Sequence, residues 1–149
     1  MKKLFLLLAV VALAFTACDK ENGDSKFSLK GQWVMDQLNE SDIAKFKMGY
    51  DFSVTMAGKA TVFMIVEESK HDLIQKGEYY SSGVYADYVE NFSSEGELIG
   101  ITITSLDEEN IRIEVLDNNT IVLTEDDGAA MTFKRVATKP LLELPKLVE

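Results

Sequence analysis

Leu98-Ile99-Gly100-Ile101-Thr102-Ile103 leads into Ile111-Arg112-Ile113-Glu114-Val115, then Ile121-Val122-Leu123, then Met131-Thr132-Phe133, and the reading of residues 98–133 decides the fold. Apolar side chains recur at every second position: Ile99, Ile101 and Ile103, then Ile111, Ile113 and Val115, then Ile121 and Leu123, then Met131 and Phe133. Alternation over short runs is the pattern of strands with one buried face. Between the runs stand Asp107-Glu108-Glu109-Asn110, Asp117-Asn118-Asn119 and Glu125-Asp126-Asp127-Gly128, rich in residues that tolerate the positive φ of tight turns. Connections this short join strands running in opposite directions, so the stretch predicts a four-stranded antiparallel meander.

Working outward, the turn Ser93-Ser94-Glu95-Gly96 precedes the meander, and residues 78–92 carry Tyr79, Tyr80, Tyr85 and Tyr88 as two strands or one bent strand broken at Gly83. Ala60-Thr61-Val62-Phe63-Met64-Ile65-Val66 is apolar on both phases, so it is either covered on both faces or leaves an exposed apolar strip, and the register of 60–92 stays open. Tyr50, Phe52, Val54 and Met56 alternate up to a turn at Ala57-Gly58-Lys59, which predicts a hairpin with that segment. Residues 31–38 form the first strand; residues 39–47 read as a polar connection in which Ser41 caps one short helical turn. Residues 68–77 read as a polar loop. The tail from Ala137 has two prolines among leucines, which excludes a central strand and places it along the outside of the sheet or free of it. The count is about eight strands without a helix to cover them, so edges need another remedy. The expected fold is all-β, an antiparallel up-and-down eight-stranded barrel, with a β-sandwich as the alternative.

Gly31-Gln32-Trp33 in the first strand and Phe133-Lys134-Arg135 in the last resemble the opening and closing segments of the lipocalins. The resemblance implies that Gly31, Trp33 and Arg135 close the barrel, with the arginine packed over the tryptophan. Ala86-Asp87-Tyr88 echoes the middle lipocalin motif but stands several strands too early to be its equivalent.

At the N-terminus, Lys2 and Lys3 precede an apolar run over 4–15 and the small residues Thr16-Ala17, the layout of a secretory signal. About 20 apolar residues are needed to span a bilayer, and this run is too short. Phe15-Thr16-Ala17-Cys18 resembles the lipobox of bacterial lipoproteins, with Phe15 where Leu is usual. That resemblance implies lipid attachment at Cys18, with acyl chains such as palmitate, and a place on the bacterial outer membrane at its periplasmic face or the cell surface. The whole chain is similar to the lipocalin-like lipoproteins of the Bacteroidetes type. The expected organisation is a signal peptide over 1–17, the lipidated cysteine and a flexible tether over 18–28, a barrel over 29–136 and a tail over 137–149.

Loss of 1–17 removes two of the 15 basic residues and none of the 25 acidic ones, leaving 13 against 25 and a net charge of −12 over 132 residues. Nucleic acid is excluded as an expected partner, and membrane contact is expected from the anchor and not from a basic face. Cys18 is the only cysteine, so no internal disulfide forms. His71, near Glu67, Glu68 and Asp72, is the sole histidine, which does not supply the several His or Cys ligands of a zinc site. The acidic turns lack the ligand spacing of a calcium loop and read as solvated. No nucleophile-and-base constellation stands out, so neither an enzyme nor a cofactor is expected. Two readings remain for a monomeric envelope lipoprotein. One is a barrel holding a small amphipathic or glycan-derived ligand, with Met56, Tyr85 and Tyr88 as candidate binding residues. The other is a filled barrel that contacts another envelope protein as a structural or interaction module. An apolar-lined cavity favours the first; a packed interior with an exposed strip over 60–66 favours the second.

The lipid reading is checked by cell fractionation. More than one acyl chain makes anchoring stable, so the unmutated chain is expected in the membrane fraction and Cys18→Ala in the soluble one. Soluble unmutated protein would refute it.

Overall fold

The computed structural model describes residues 26–105 and 108–146. The expected signal peptide over 1–17, Cys18 and most of the tether lie outside the described residues, as do two positions of the turn after Ile103 and the last three of the tail.

Ten strands follow in order: β1 (Gly31–Glu40), β2 (Ala44–Phe52), β3 (Lys59–Ser69), β4 (Tyr79–Ser81), β5 (Ala86–Phe92), β6 (Leu98–Ile103), β7 (Glu109–Asp117), β8 (Thr120–Thr124), β9 (Ala130–Val136) and β10 (Leu142–Glu143). Eight of them, all except β4 and β10, close into an antiparallel up-and-down barrel: β9 pairs β1, and β3 pairs β5. The all-β barrel is therefore the fold, and the sandwich is not. The meander over β6, β7, β8 and β9 runs in sequence order, as its alternation required.

The inward phases supply the core: Trp33 from β1, Phe52 from β2, Ala60 from β3, Tyr88 from β5, Ile101 from β6, Ile111 and Ile113 from β7, Ile121 and Leu123 from β8, and Phe133 from β9. One expected phase breaks. Ile99 is exposed while Leu98 packs on the core, because Asn91 pairs with Gly100 and Phe92 with Leu98, which leaves Ile99 as the extra residue of a bulge in β6.

Four local expectations are corrected. The span 39–47 is no polar connection with a helical turn: β2 begins at Ala44, and the Ser41 hydroxyl accepts the amides of Ile43 and Ala44 to form the tight turn instead. Lysines on alternate positions disguised the strand; Lys45 pairs with Glu68 and Lys47 with Asp36 while Phe46 and Met48 pack. Val54 and Met56 do not extend that strand, since the Ser53 hydroxyl accepts the amides of Thr55 and Met56 and turns the chain after Phe52. Residues 68–77 are not all loop: β3 runs to Ser69, and the loop that follows buries Ile74 against Met64, Val66 and Tyr80. Phe27 and Ser28 are not tether: Phe27 packs on the core, its ring 5.8 Å from that of Trp33, and the Ser28 carbonyl accepts a bond from Arg135.

Apart from exposed Val62, the doubly apolar segment of β3 is covered on both faces. Outside, Phe63 stacks on Tyr79 with ring centroids 5.3 Å apart, and Ile65, Val136 and Leu141 pack around them. The tail is held there. Gln32 donates to the Lys139 carbonyl (2.8 Å) and accepts from its amide (2.9 Å), and also donates to Asp51 (2.7 Å). Burial pushes the Asp51 carboxyl above its ordinary range, with the Gln32 bond opposing. β10 then adds to β4 in parallel, which places the tail along the outside of the sheet.

Gly49 sits beneath this cover. A Cβ there would lie 2.5 Å from the Trp33 carbonyl oxygen and 2.8 Å from two carbons of the Phe63 ring. Neither can yield without moving a buried strand, so Gly49→Ala is expected to cost about 1–3 kcal/mol. The measurement is a lower urea midpoint at unchanged slope.

Candidate functional site

The two ends of the barrel differ. At the closed end, β1 starts beside the finish of β9, with Trp33 opposite Arg135 in the ladder. Trp33 is fully buried and its indole N–H donates to the Leu29 carbonyl (2.7 Å). The Arg135 guanidinium carbon stands 4.1 Å from the centre of the Trp33 ring and 5.9 Å from that of Phe27. Its three nitrogens donate to the carbonyls of Asn118 (3.0 Å), Lys30 (2.7 Å) and Ser28 (2.8 Å), so it ties the incoming chain, β1 and the β7–β8 turn together. Burial pushes Arg135 down to about 10, still far above neutrality, and the charge is kept. Gly31, at φ +119, sits where a Cβ would come within 3.1 Å of that guanidinium.

At the other end lies a cavity of about 320 Å³. Its floor is the inward phase of β6, β7 and β8 (Ile101, Ile111, Leu123) with Tyr50 and Phe52 of β2, and its rim includes Val62, Val84, Ile103 and Glu109. Val62 and Val84 are 45% and 70% exposed, which marks the mouth. Glu109 opens β7 while Asn118, bonded to Arg135, follows its end, so mouth and plug occupy opposite ends.

The space exists because the seam between β3 and β5 is short and thin. It consists of the pairs Lys59 with Asp87 and Ala60 with Ala86, two alanines facing where larger residues would fill the interior. Beyond it the chain swings out through residues 82–85, where Gly83 adopts φ +77 and the Thr61 hydroxyl donates to the Val84 carbonyl (2.6 Å). That bond fixes the rim. The cavity volume lies at the lower limit of ligand pockets, which are concave, mostly apolar and carry a few polar groups. Here the polar groups are Thr61, Ser82, Glu109 and Tyr50.

None of the three sequence candidates lines this cavity. Met56 is 42% exposed in the β2–β3 turn, because the strand ends before it. Tyr85 is half-buried in the connection before β5. Tyr88 is buried in the core, edge-on to Phe52 at 5.3 Å; burial, then Glu90, pushes its hydroxyl up to about 12. The lining residues that sequence reasoning missed were partly readable. Glu109 continues the inward phase of Ile111 and Ile113 by one step, whereas the Ala60–Ala86 pairing depends on a register that period alone does not give.

His71 lies in the loop after β3, where its ring Nδ1 accepts the Leu73 amide (3.2 Å). Among the described residues no three His, Cys, Asp or Glu side chains group closely enough to hold a metal ion. No family model matches the chain, and neither a curated protein nor a solved structure matches it.

The plug generates a test. A guanidinium on an indole contributes about 0.5–2 kcal/mol, and its bonds to three carbonyls add to that, screened by partial exposure. Arg135→Ala is expected to lower stability by about 2–4 kcal/mol and red-shift Trp33 emission. Arg135→Lys should recover less than half, since an ammonium lacks the planar fork. Lys134→Ala, on the exposed phase, should change neither quantity.

Proposed function

We propose that this chain is a lipocalin-like envelope lipoprotein, attached at Cys18 to the bacterial outer membrane, whose barrel binds a small amphipathic or glycan-derived molecule at the end away from Trp33. It acts as a monomer, without a cofactor and without catalysing a reaction. The observation that carries the reading is the cavity of about 320 Å³, with apolar walls and a few polar groups at its rim. An eight-stranded barrel has interior enough for side chains alone or for one small ligand. The small seam residues Ala60 and Ala86 favour the second case. The lipobox-like residues 15–18 support the anchor.

The alternative, an interaction or structural lipoprotein, drew its case from an exposed strip over 60–66. The chain's own Tyr79, Val136 and Leu141 cover the outer side of that segment. Val89, Phe92 and Ile99 are exposed on β5 and β6 and keep a protein-contact role open to experiment.

A neutral fluorescent naphthylamine titrated into the chain from Lys26 onward tests the reading. Saturable enhancement is expected. Ile103→Trp, which projects an indole into the mouth, should reduce affinity by about tenfold or more, corresponding to about 1.4 kcal/mol. Leu116→Ala, on the exposed face of β7, should leave it unchanged. Absence of saturable binding would leave protein contact as the better reading.

A further inference from the structure

The mouth of the cavity is acidic in a way its walls do not require. Of the thirteen lining residues only one is charged, Glu109, and none is basic. Glu109 stands one inward step beyond Ile111 on β7, and Glu125 follows the last residue of β8, two positions after Leu123. The β7–β8 ladder ends with Arg112 opposite Thr124, so Glu125 leaves β8 three residues along β7 from Glu109. Neither carboxylate takes part in an ion pair among the described residues. Glu108, Asp126 and Asp127 belong to the same two connections and are exposed. Beneath this rim the cavity presents the rings of Tyr50 and Phe52. Burial raises the Tyr50 hydroxyl's pKa, and Glu125 and Glu109 raise it further, so both carboxylates act on the cavity's own polar group.

Carboxylates above aromatic faces are the chemistry that selects a cation. An ammonium gains from both, through the charge at the rim and through the ring quadrupoles below it, while an anionic headgroup meets only repulsion there. We propose that the ligand of this cavity carries a cationic headgroup, a primary or substituted ammonium on a short apolar body, which Glu109 and Glu125 hold at the mouth while the body lies on Tyr50, Phe52, Ile101 and Ile111. This rests on the binding reading above and names the ligand class of the same site. It excludes the simple fatty-acid carrier that an apolar barrel would otherwise suggest.

The test uses the chain from Lys26 onward, which contains every strand of the closed barrel and its core. A neutral naphthylamine is displaced at neutral pH and low salt by three ligands of equal chain length: octylamine, octanol and octanoate. Octylamine is expected to displace the probe at a concentration about tenfold or more below that of octanoate, with octanol between them. Glu109→Gln combined with Glu125→Gln, both outside the packed core, should bring octylamine and octanoate to within about threefold; about 0.5 M salt should narrow the gap in the unmutated chain. Octanoate matching octylamine, or a preference that survives in the double variant, would overturn the cationic assignment while octanol binding left the cavity reading intact. Failure of the probe and of octanol alike would remove the cavity reading and this assignment together.

Discussion

A single strand serving two neighbours sets the terms for the rest of the molecule. β3 has eleven residues. Its start pairs with β5 through Lys59 and Ala60, and its middle pairs with β4 through Phe63, Met64 and Ile65. Closure needs the first pairing, since without it the eight-stranded sheet would have two open edges. Because that seam is only two pairs long, β3 continues beyond the barrel with β2 and the end of β1, and β3 brings apolar residues to both of its faces there. The chain then supplies the cover itself: Ile74 and Tyr80 on one face, Tyr79, Val136 and Leu141 on the other. The tail, the polar loop after β3 and β4 all answer one geometric fact.

The same fact grades the interior from full to empty. Near Trp33 the ladders of β1 with β2 and with β9 meet, and Phe27, Leu29 and Phe133 fill the space between them. Arg135 seals that end by bonding three carbonyls that no ladder reaches. Toward the seam the pairing shortens, the facing residues shrink to alanine and the packing gives way to a cavity. Stability is concentrated at one end of the barrel and access at the other.

This division explains what was legible in the sequence. Where a strand is buried on one face and paired on both sides, period two survives, so Ile101, Ile111, Ile113, Ile121, Leu123 and Phe133 could be placed inside from their spacing alone. The spacing alone fits a sandwich as well; the closed barrel followed from the count of strands and the short turns between them. Where the chain departs from one-sided burial the period misleads. Lysines masked the strand from Ala44, a hydroxyl-capped turn ended it before Val54 and Met56, and a bulge turned Ile99 outward. The cavity was hardest to foresee, because it arises from the absence of bulk at Ala60 and Ala86, two positions remote in sequence whose pairing is a matter of register. Tyrosine enrichment pointed to residues 79–88, yet Tyr79 and Tyr88 are spent on packing.

The energetics of an unfilled space bear on what the mouth is for. A dry cavity left in a core costs about 24 cal/mol per Å³, which for this volume would approach about 8 kcal/mol, comparable with the whole stability of a domain. A fold could not keep such a void sealed and empty. The cavity's polar lining resolves the difficulty, since Thr61, Ser82, Glu109 and Tyr50 offer partners to entering solvent, and water at an apolar wall replaces vacuum. Water held between Ile101, Ile111, Leu123 and Phe52 bonds poorly to its surroundings, so an apolar body of the right size gains by displacing it. A headgroup that keeps the rim carboxylates satisfied adds to that gain. The polar groups that make the open barrel tolerable to the fold are thus the same groups that would decide what enters it.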